Sequence, residues 1–263
     1  KFIRIAFGNN NIDYCTRLCH ASTVTAMIKA FGDGAGSNSI EDFETTDCLI
    51  VIGNNIIETH PITATYVKRG KARGQKIIVI DPKWTPLVKY ADIYLQPRLA
   101  TDVALLNGMM YHVIQEGLVN ESFIKERVDG GVDTFAQLKE MVMKYTPDVV
   151  EKITGVKTDI VKEAAIMYAK APTAMIATGM GMSQQTVGTN NVFALIDLCL
   201  ITGQIGRDRC GINPPRGQNN VQGATDVGAS PVFYPGYIQV VNEENRRRIA
   251  QLWNVPFEQL EPN

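Results

Sequence analysis

The sequence predicts a doubly wound α/β fold: a mainly parallel sheet with helices on both faces, plus part of a second α/β domain. Three observations carry that prediction. Four short runs, at 47–53, 76–82, 91–95 and 173–179, are apolar without alternation and stop at Gly53, Asp81-Pro82, Leu95 and Gly179. Continuous apolarity marks strands covered on both faces, as in a parallel sheet. Helical patterns alternate with the runs, which is the order a doubly wound fold requires.

Taken in order, residues 1–7 (Lys-Phe-Ile-Arg-Ile-Ala-Phe) are β-rich and read as a strand entered midway, as though the chain began inside a longer polypeptide. A helix is expected over Ala21–Phe31, before the first sheet strand. The segment 60–74, with Pro61 in its first turn, joins the first two strands. Segment 102–116 follows the third strand, capped by Thr101 or Asp102. Shorter helices are expected at 134–144 and 159–169, and an apolar one at 191–202 closed by Gly203. Residues 213–236 are rich in Pro, Gly and Asn and nearly aperiodic; such segments are usually functional or disordered. A charged helix returns at 242–253.

Bulk properties exclude several function classes. The 263 residues are 45% hydrophobic and 20% charged, as in an ordinary globular protein. With 26 basic and 27 acidic residues the net charge is -1, so no overall field attracts nucleic acid or an anionic membrane surface. No apolar run approaches the ~20 residues of a membrane span, and residues 1–11 lack the regions of a signal peptide. Neither nucleic acid nor membrane insertion is therefore expected. The five cysteines, at 15, 19, 48, 199 and 210, include no Cys-x-x-Cys pair. That argues against a disulfide framework, a zinc ribbon or a four-cysteine iron–sulfur cluster within this chain, and for a reduced, cytoplasmic setting.

Ligands of open α/β sheets sit at the carboxyl ends of the strands. Here those ends carry Gly53-Asn54-Asn55 with Glu58, Asp81-Pro82-Lys83, Gln96 through Asp102, and Gly179-Met180-Gly181. Glycine after a strand lets backbone approach a phosphate, and an acid such as Asp81 can accept from a sugar or a guanine edge. Gly, Asn and Asp also simply make turns. Four such ends on one sheet favour a nucleotide-bearing ligand, although no Gly-x-Gly-x-x-Gly or phosphate-loop lysine motif supports plain NAD or ATP.

Two further segments bear chemistry. Cys19 precedes a helix, beside His20 and near Arg17, a setting expected to favour its thiolate for nucleophilic attack or for binding a soft metal. The alternatives are a small buried cysteine with a surface histidine, or a thiol protease, whose base normally comes from elsewhere in the fold. Pro214 through Ala224 packs one arginine, four side-chain amides and two glycines into a stretch of low charge. A polar surface loop is the simple reading. A loop facing a large polar ligand, with Arg216 clamping a carboxylate through two parallel hydrogen bonds, is the functional one.

These segments resemble formate dehydrogenase catalytic subunits of the molybdopterin-guanine-dinucleotide oxidoreductases. Cys-x-Arg-x-Cys-His around Cys19 resembles the family's metal-ligand segment, where selenocysteine or cysteine precedes histidine. Pro-Pro-Arg-Gly-Gln-Asn-Asn resembles its substrate-arginine segment and Gly179 through Gln184 a pterin-cofactor loop. The likeness runs over essentially the whole chain. It implies a bis-molybdopterin guanine dinucleotide holding Mo or W, with Cys19 as metal ligand. It further implies that Arg216 orients formate and that His20 takes up a proton or tunes the site. Gly53, Asn55, Glu58, Asp81, Lys83, Thr101 and Asp102 would line one guanine-dinucleotide site, and Met180, Gly181, Gln184 and Gln218 the other cofactor half. Glu58 and Lys83 stand where Asp and Arg are expected, and Ala100 where glycine is usual. Cysteine in place of selenocysteine implies a slower enzyme, because a thiol is less acidic than a selenol.

The resemblance also implies parts outside this sequence: an N-terminal domain with a four-iron–four-sulfur cluster, a C-terminal barrel, and an electron-transfer partner subunit or domain. The expected organisation is a cofactor domain over 15–218 flanked by 1–14 and 219–263 from a neighbouring α/β domain, and a fragment that is inactive alone. A non-catalytic α/β scaffold and a nitrate-reductase-like oxyanion oxidoreductase are the other readings.

Overall fold

The computed structural model describes residues 1–260; residues 261–263 of the returning 219–263 segment lie outside the described residues. The chain forms two compact units, Lys1–Cys19 with the chain from Arg216 onward, and His20–Pro215. The smaller unit opens on helix α1 (Phe2–Ala6), not on the strand that its β-rich residues suggested. Tertiary contact overrides propensity here. One helical turn carries Arg4 inward, where it is buried, and sets Phe2 edge-on to Phe7 with ring centroids 5.5 Å apart. A second short helix, α2 (Thr16–Cys19), ends the first pass through this unit.

The larger unit begins with α3 (Ala21–Phe31) and α4 (Asp42–Thr45). Its sheet then opens with β1 (Cys48–Ile52), followed by α5 (Ile56–Thr59), α6 (Pro61–Ala72) and β2 (Lys76–Ile80). After β3 (Ile93–Leu95) come α7 (Asp102–Gln115), α8 (Glu121–Arg127), α9 (Gly131–Val142), α10 (Pro147–Thr154) and α11 (Thr158–Lys170). The unit closes through β4 (Ala174–Thr178), α12 (Met180–Ser183), α13 (Gly188–Thr202) and β5 (Gly211–Asn213), a strand within the segment from 203 onward that periodicity did not reveal. The five strands are parallel in the order β3-β2-β1-β4-β5.

The pleat explains why the strands are apolar at every position. Cys48, Ile50, Ile52, Ile78, Ile80, Ala174 and Ile176 enter one core with residues of α3, α7, α11 and α13. Leu49, Val51, Ile77, Val79, Met175 and Ala177 enter the other, with Phe43 of α4, Ile56 of α5 and Val67 of α6. Successive side chains of a strand point to opposite faces, so two covered faces demand an unbroken apolar run.

Returning to the smaller unit, the chain forms α14 (Val221–Asp226), the antiparallel pair β6 (Phe233–Tyr234) and β7 (Ile238–Gln239), and α15 (Glu243–Trp253). The region expected to be aperiodic therefore contains a helix and a strand. Its core is small: Tyr234, Val240, Ile249, Ala250 and Leu260.

Candidate active site

The strand order places the carboxyl ends of β1 and β4 at the point where successive connections depart in opposite directions, the position at which doubly wound sheets bind ligands. Gly53, after β1, takes a left-handed conformation with φ 57°. A side chain there would lie 3.0 Å from Gly181 backbone, and one on Gly181 would lie 2.7 Å from Gly53 Cα. The Gly181 amide donates to the Gly53 carbonyl at 3.0 Å. These glycines thus let two loops close on one another, a requirement distinct from the phosphate approach expected of them.

Around this junction several buried polar atoms lack a hydrogen-bond partner among the described residues: Asn55 Oδ1, Thr178 Oγ1 and Gln185 Oε1. Buried polar atoms normally find partners, so these three are open to a ligand's complementary donors and acceptors. Asn55 is the N-cap residue of α5 and its Nδ2 donates to Glu58. Asp81, just after β2, accepts from the Lys83 amide at 2.8 Å. Burial pushes its carboxyl above the usual range, opposed by that amide and assisted by the Asp102 charge. Asp102, the first residue of α7, is buried, which likewise raises its carboxyl, while a hydrogen bond from Gln185 Nε2 at 3.1 Å opposes the shift. Thr101 is the N-cap of α7 but makes no side-chain cap; its hydroxyl donates to the Arg98 carbonyl at 2.7 Å. Met180, Lys83 and Gln184 are exposed.

In the smaller unit, Cys19 and Arg216 come within electrostatic reach although they are far apart in sequence. The expectation of a favoured thiolate needs correction. Burial raises the Cys19 thiol, Cys15 adds to that, and Arg216 opposes it. Arg17 is turned to Asp13, with Nε 2.8 Å from its carboxylate. Cys19 also closes α2 rather than heading a helix; His20 stands at the N-cap position of the next helix without a side-chain cap. A neutral thiol in the free protein still suits a soft metal, whose own charge deprotonates a coordinating sulfur. Arg216 loses some of its cationic preference to burial and regains part of it from Cys19. His20 is buried, and its Nδ1 has no hydrogen-bond partner among the described residues. Gln218 is exposed, its carbonyl accepting from the Val221 amide at 3.4 Å.

The structure thus joins Gly53 to Gly181 and Asn55 to Glu58, and brings Asp81 and Asp102, and Cys19 and Arg216, within electrostatic reach of each other. The side chains of Lys83, Gln184 and Gln218 form no hydrogen bond among the described residues. Gln185 and Thr178 were missed in the sequence. Thr178 looked like the last residue of an apolar strand, and Gln185 carried no signal beyond its place beside Gln184.

Residues 1–258 match the family model described as molybdopterin oxidoreductase. A formate dehydrogenase alpha subunit of Methanocaldococcus jannaschii is 47% identical over 263 residues, covering 100% of this chain and 38% of the relative. Formate dehydrogenase H of Escherichia coli is 41% identical over 255 residues, covering 97% of this chain and 35% of the relative. The chain therefore spans little more than a third of the length of these relatives. Among solved structures, acetylene hydratase from Pelobacter acetylenicus superposes with a TM-score of 0.66 at 29% identity, over 77% of this chain and 27% of that protein. Among the described residues no helix is long and apolar enough to cross a membrane. A sheet with its polar junction at the β1/β4 switch point, a thiol within reach of an arginine, and a family match over nearly every residue lead to one conclusion: the chain belongs to the molybdopterin oxidoreductase family.

Proposed function

We propose that this chain is the central, cofactor-holding portion of a formate dehydrogenase catalytic subunit, converting formate to CO2, two electrons and a proton. The observation that carries the reading is the Cys19–Arg216 pair, a soft-metal ligand within electrostatic reach of a cation that suits a small carboxylate. Cys19 would hold Mo or W through its sulfur. The cofactor is proposed in its bis-guanine-dinucleotide form, with Gly53, Asn55, Glu58, Asp81, Lys83, Thr101 and Asp102 along one arm and Met180, Gly181, Gln184 and Gln218 along the other half. When bound, the metal–dithiolene group supplies the acceptor for two electrons.

The chain's own residues bind and orient. Arg216 presents a planar fork of donors to the formate carboxylate, fixing both its position and its rotation. His20 Nδ1, buried and without a partner, is available to hold the proton released from formate. The partnerless atoms Asn55 Oδ1, Thr178 Oγ1 and Gln185 Oε1 match the N–H and hydroxyl groups of a guanine nucleotide. The same reading includes a cytoplasmic setting, an electron-transfer partner, and the four-iron–four-sulfur and barrel domains of the longer subunit.

The test is formate-dependent dye reduction by the cofactor-loaded, full-length protein. Arg216→Lys keeps the charge and loses the two-pronged contact, so kcat/KM for formate is expected to fall by about two orders of magnitude. Unchanged turnover in Arg216→Lys, or full activity in a cofactor-loaded Cys19→Ser protein, overturns the reading.

A further inference from the structure

The side-chain amide of Gln185 joins two parts of the sheet's carboxyl edge. Its Nε2 donates both to Asp102, at the start of the helix after β3, and to the Gly181 carbonyl in the loop after β4. Strands β3 and β4 are separated by β2 and β1, so this one group spans the switch-point crevice. The amide's orientation is fixed by chemistry. Turned over, its oxygen would face two acceptors, a carboxylate and a carbonyl. Held as it is, the Oε1 atom is buried and without a partner.

We propose that Gln185 is a positioning residue of the nucleotide site, holding the Asp102 carboxylate and the Gly181 loop in place and offering Oε1 as a further acceptor to a ligand's N–H groups. This rests on the reading of the crevice as a guanine-nucleotide site. Charge near Asp102 comes from Asp81, which follows β2, with Lys83 on the same loop. Removing the Gln185 donor leaves the Asp102 carboxyl opposed by one hydrogen bond fewer, so its protonation moves to higher pH.

The experiment uses full-length protein prepared without cofactor and titrated with guanosine diphosphate across pH 4–8. Wild type is expected to bind, with affinity changing as Asp102 ionises. Gln185→Leu should weaken binding at least about tenfold, the scale of a hydrogen bond to a charged group, and shift the midpoint of the pH profile upward. Gln185→Glu, nearly the same size, should bind worst above the midpoint, where two carboxylates face each other. In Asp102→Asn protein the Gln185→Leu change should cost much less than in wild type. Failure of the wild-type protein to bind overturns the nucleotide reading and this inference with it. Wild-type binding with an unmoved midpoint in Gln185→Leu, or additive losses in the double variant, overturns this inference alone.

Discussion

The two units of this chain are held together by different forces. In the larger one, two apolar cores sandwich a five-stranded sheet, and every position of β1 and β4 is buried. In the smaller one the apolar core is slight, and a buried guanidinium packs against one of its members, Tyr234. Arg4 donates from Nε to Asn10 at 2.7 Å, from Nη1 to the Gly228 carbonyl at 3.0 Å, and from Nη2 to the carbonyls of Ser230 and Phe233. It also lies over the Tyr234 ring, 4.8 Å from the centroid. The contrast teaches that a segment returning after some two hundred residues can be tied to the N-terminus by polar contacts, with one cation satisfying several carbonyls and Asn10 and Gln259 donating across as well, where there is too little apolar surface to do so.

That difference can be broken. Arg4→Ala should cost about 4 kcal/mol, because several buried acceptors lose their donors together. The loss of amide hydrogen-exchange protection should be greatest over 221–240. Arg4→Lys should recover only part of it, since one ammonium cannot reach the acceptors that a planar fork spans. A wild-type denaturation profile for Arg4→Ala would remove the distinction between the units.

A medium effect is expected in the larger unit. Gly181→Ala forces a methyl against Gly53 backbone, at 2.7 Å from its Cα, and should cost roughly 1–3 kcal/mol by overpacking. Chemical denaturation measures it, and a neutral result would mean that the two loops separate freely.

The smallest effect concerns Asp197 on α13, whose carboxyl is raised from 3.8 to about 6 by burial and has no hydrogen-bond or ion-pair partner among the described residues. The folded state keeps its proton at pH values where the unfolded chain has lost it. Stability should therefore fall as pH rises from about 4 to about 6, and then level off. Asp197→Asn should flatten that slope and gain on the order of 1–2 kcal/mol at pH 7. Thermal melts of both proteins across this range decide it; parallel curves would show that Asp197 is solvated.

Much of the larger unit was legible because burial on both faces leaves a local trace: β1, β2 and β4 are apolar at nearly every position, and the helices between them carry their own periodicity. β5 escaped because only Gly211, Ile212 and Asn213 form it, too few to show a period. Phe2–Ala6 misled because its β-branched residues report propensity, whereas the inward position of Arg4 is set by carbonyls more than two hundred residues later.

By itself the sequence determined the parallel sheet, the glycine and acid residues at its carboxyl ends, and the two segments around Cys19 and Arg216, since hydrophobic pattern and side-chain chemistry are local properties. Only the tertiary structure decided the electrostatics and the linkages. It left Arg216 to oppose the burial of the Cys19 thiol. It also set Gly53 on Gly181 and stretched Gln185 between Asp102 and the β4 loop. Each of these depends on desolvation or on a distance across the fold, which no run of neighbouring residues encodes.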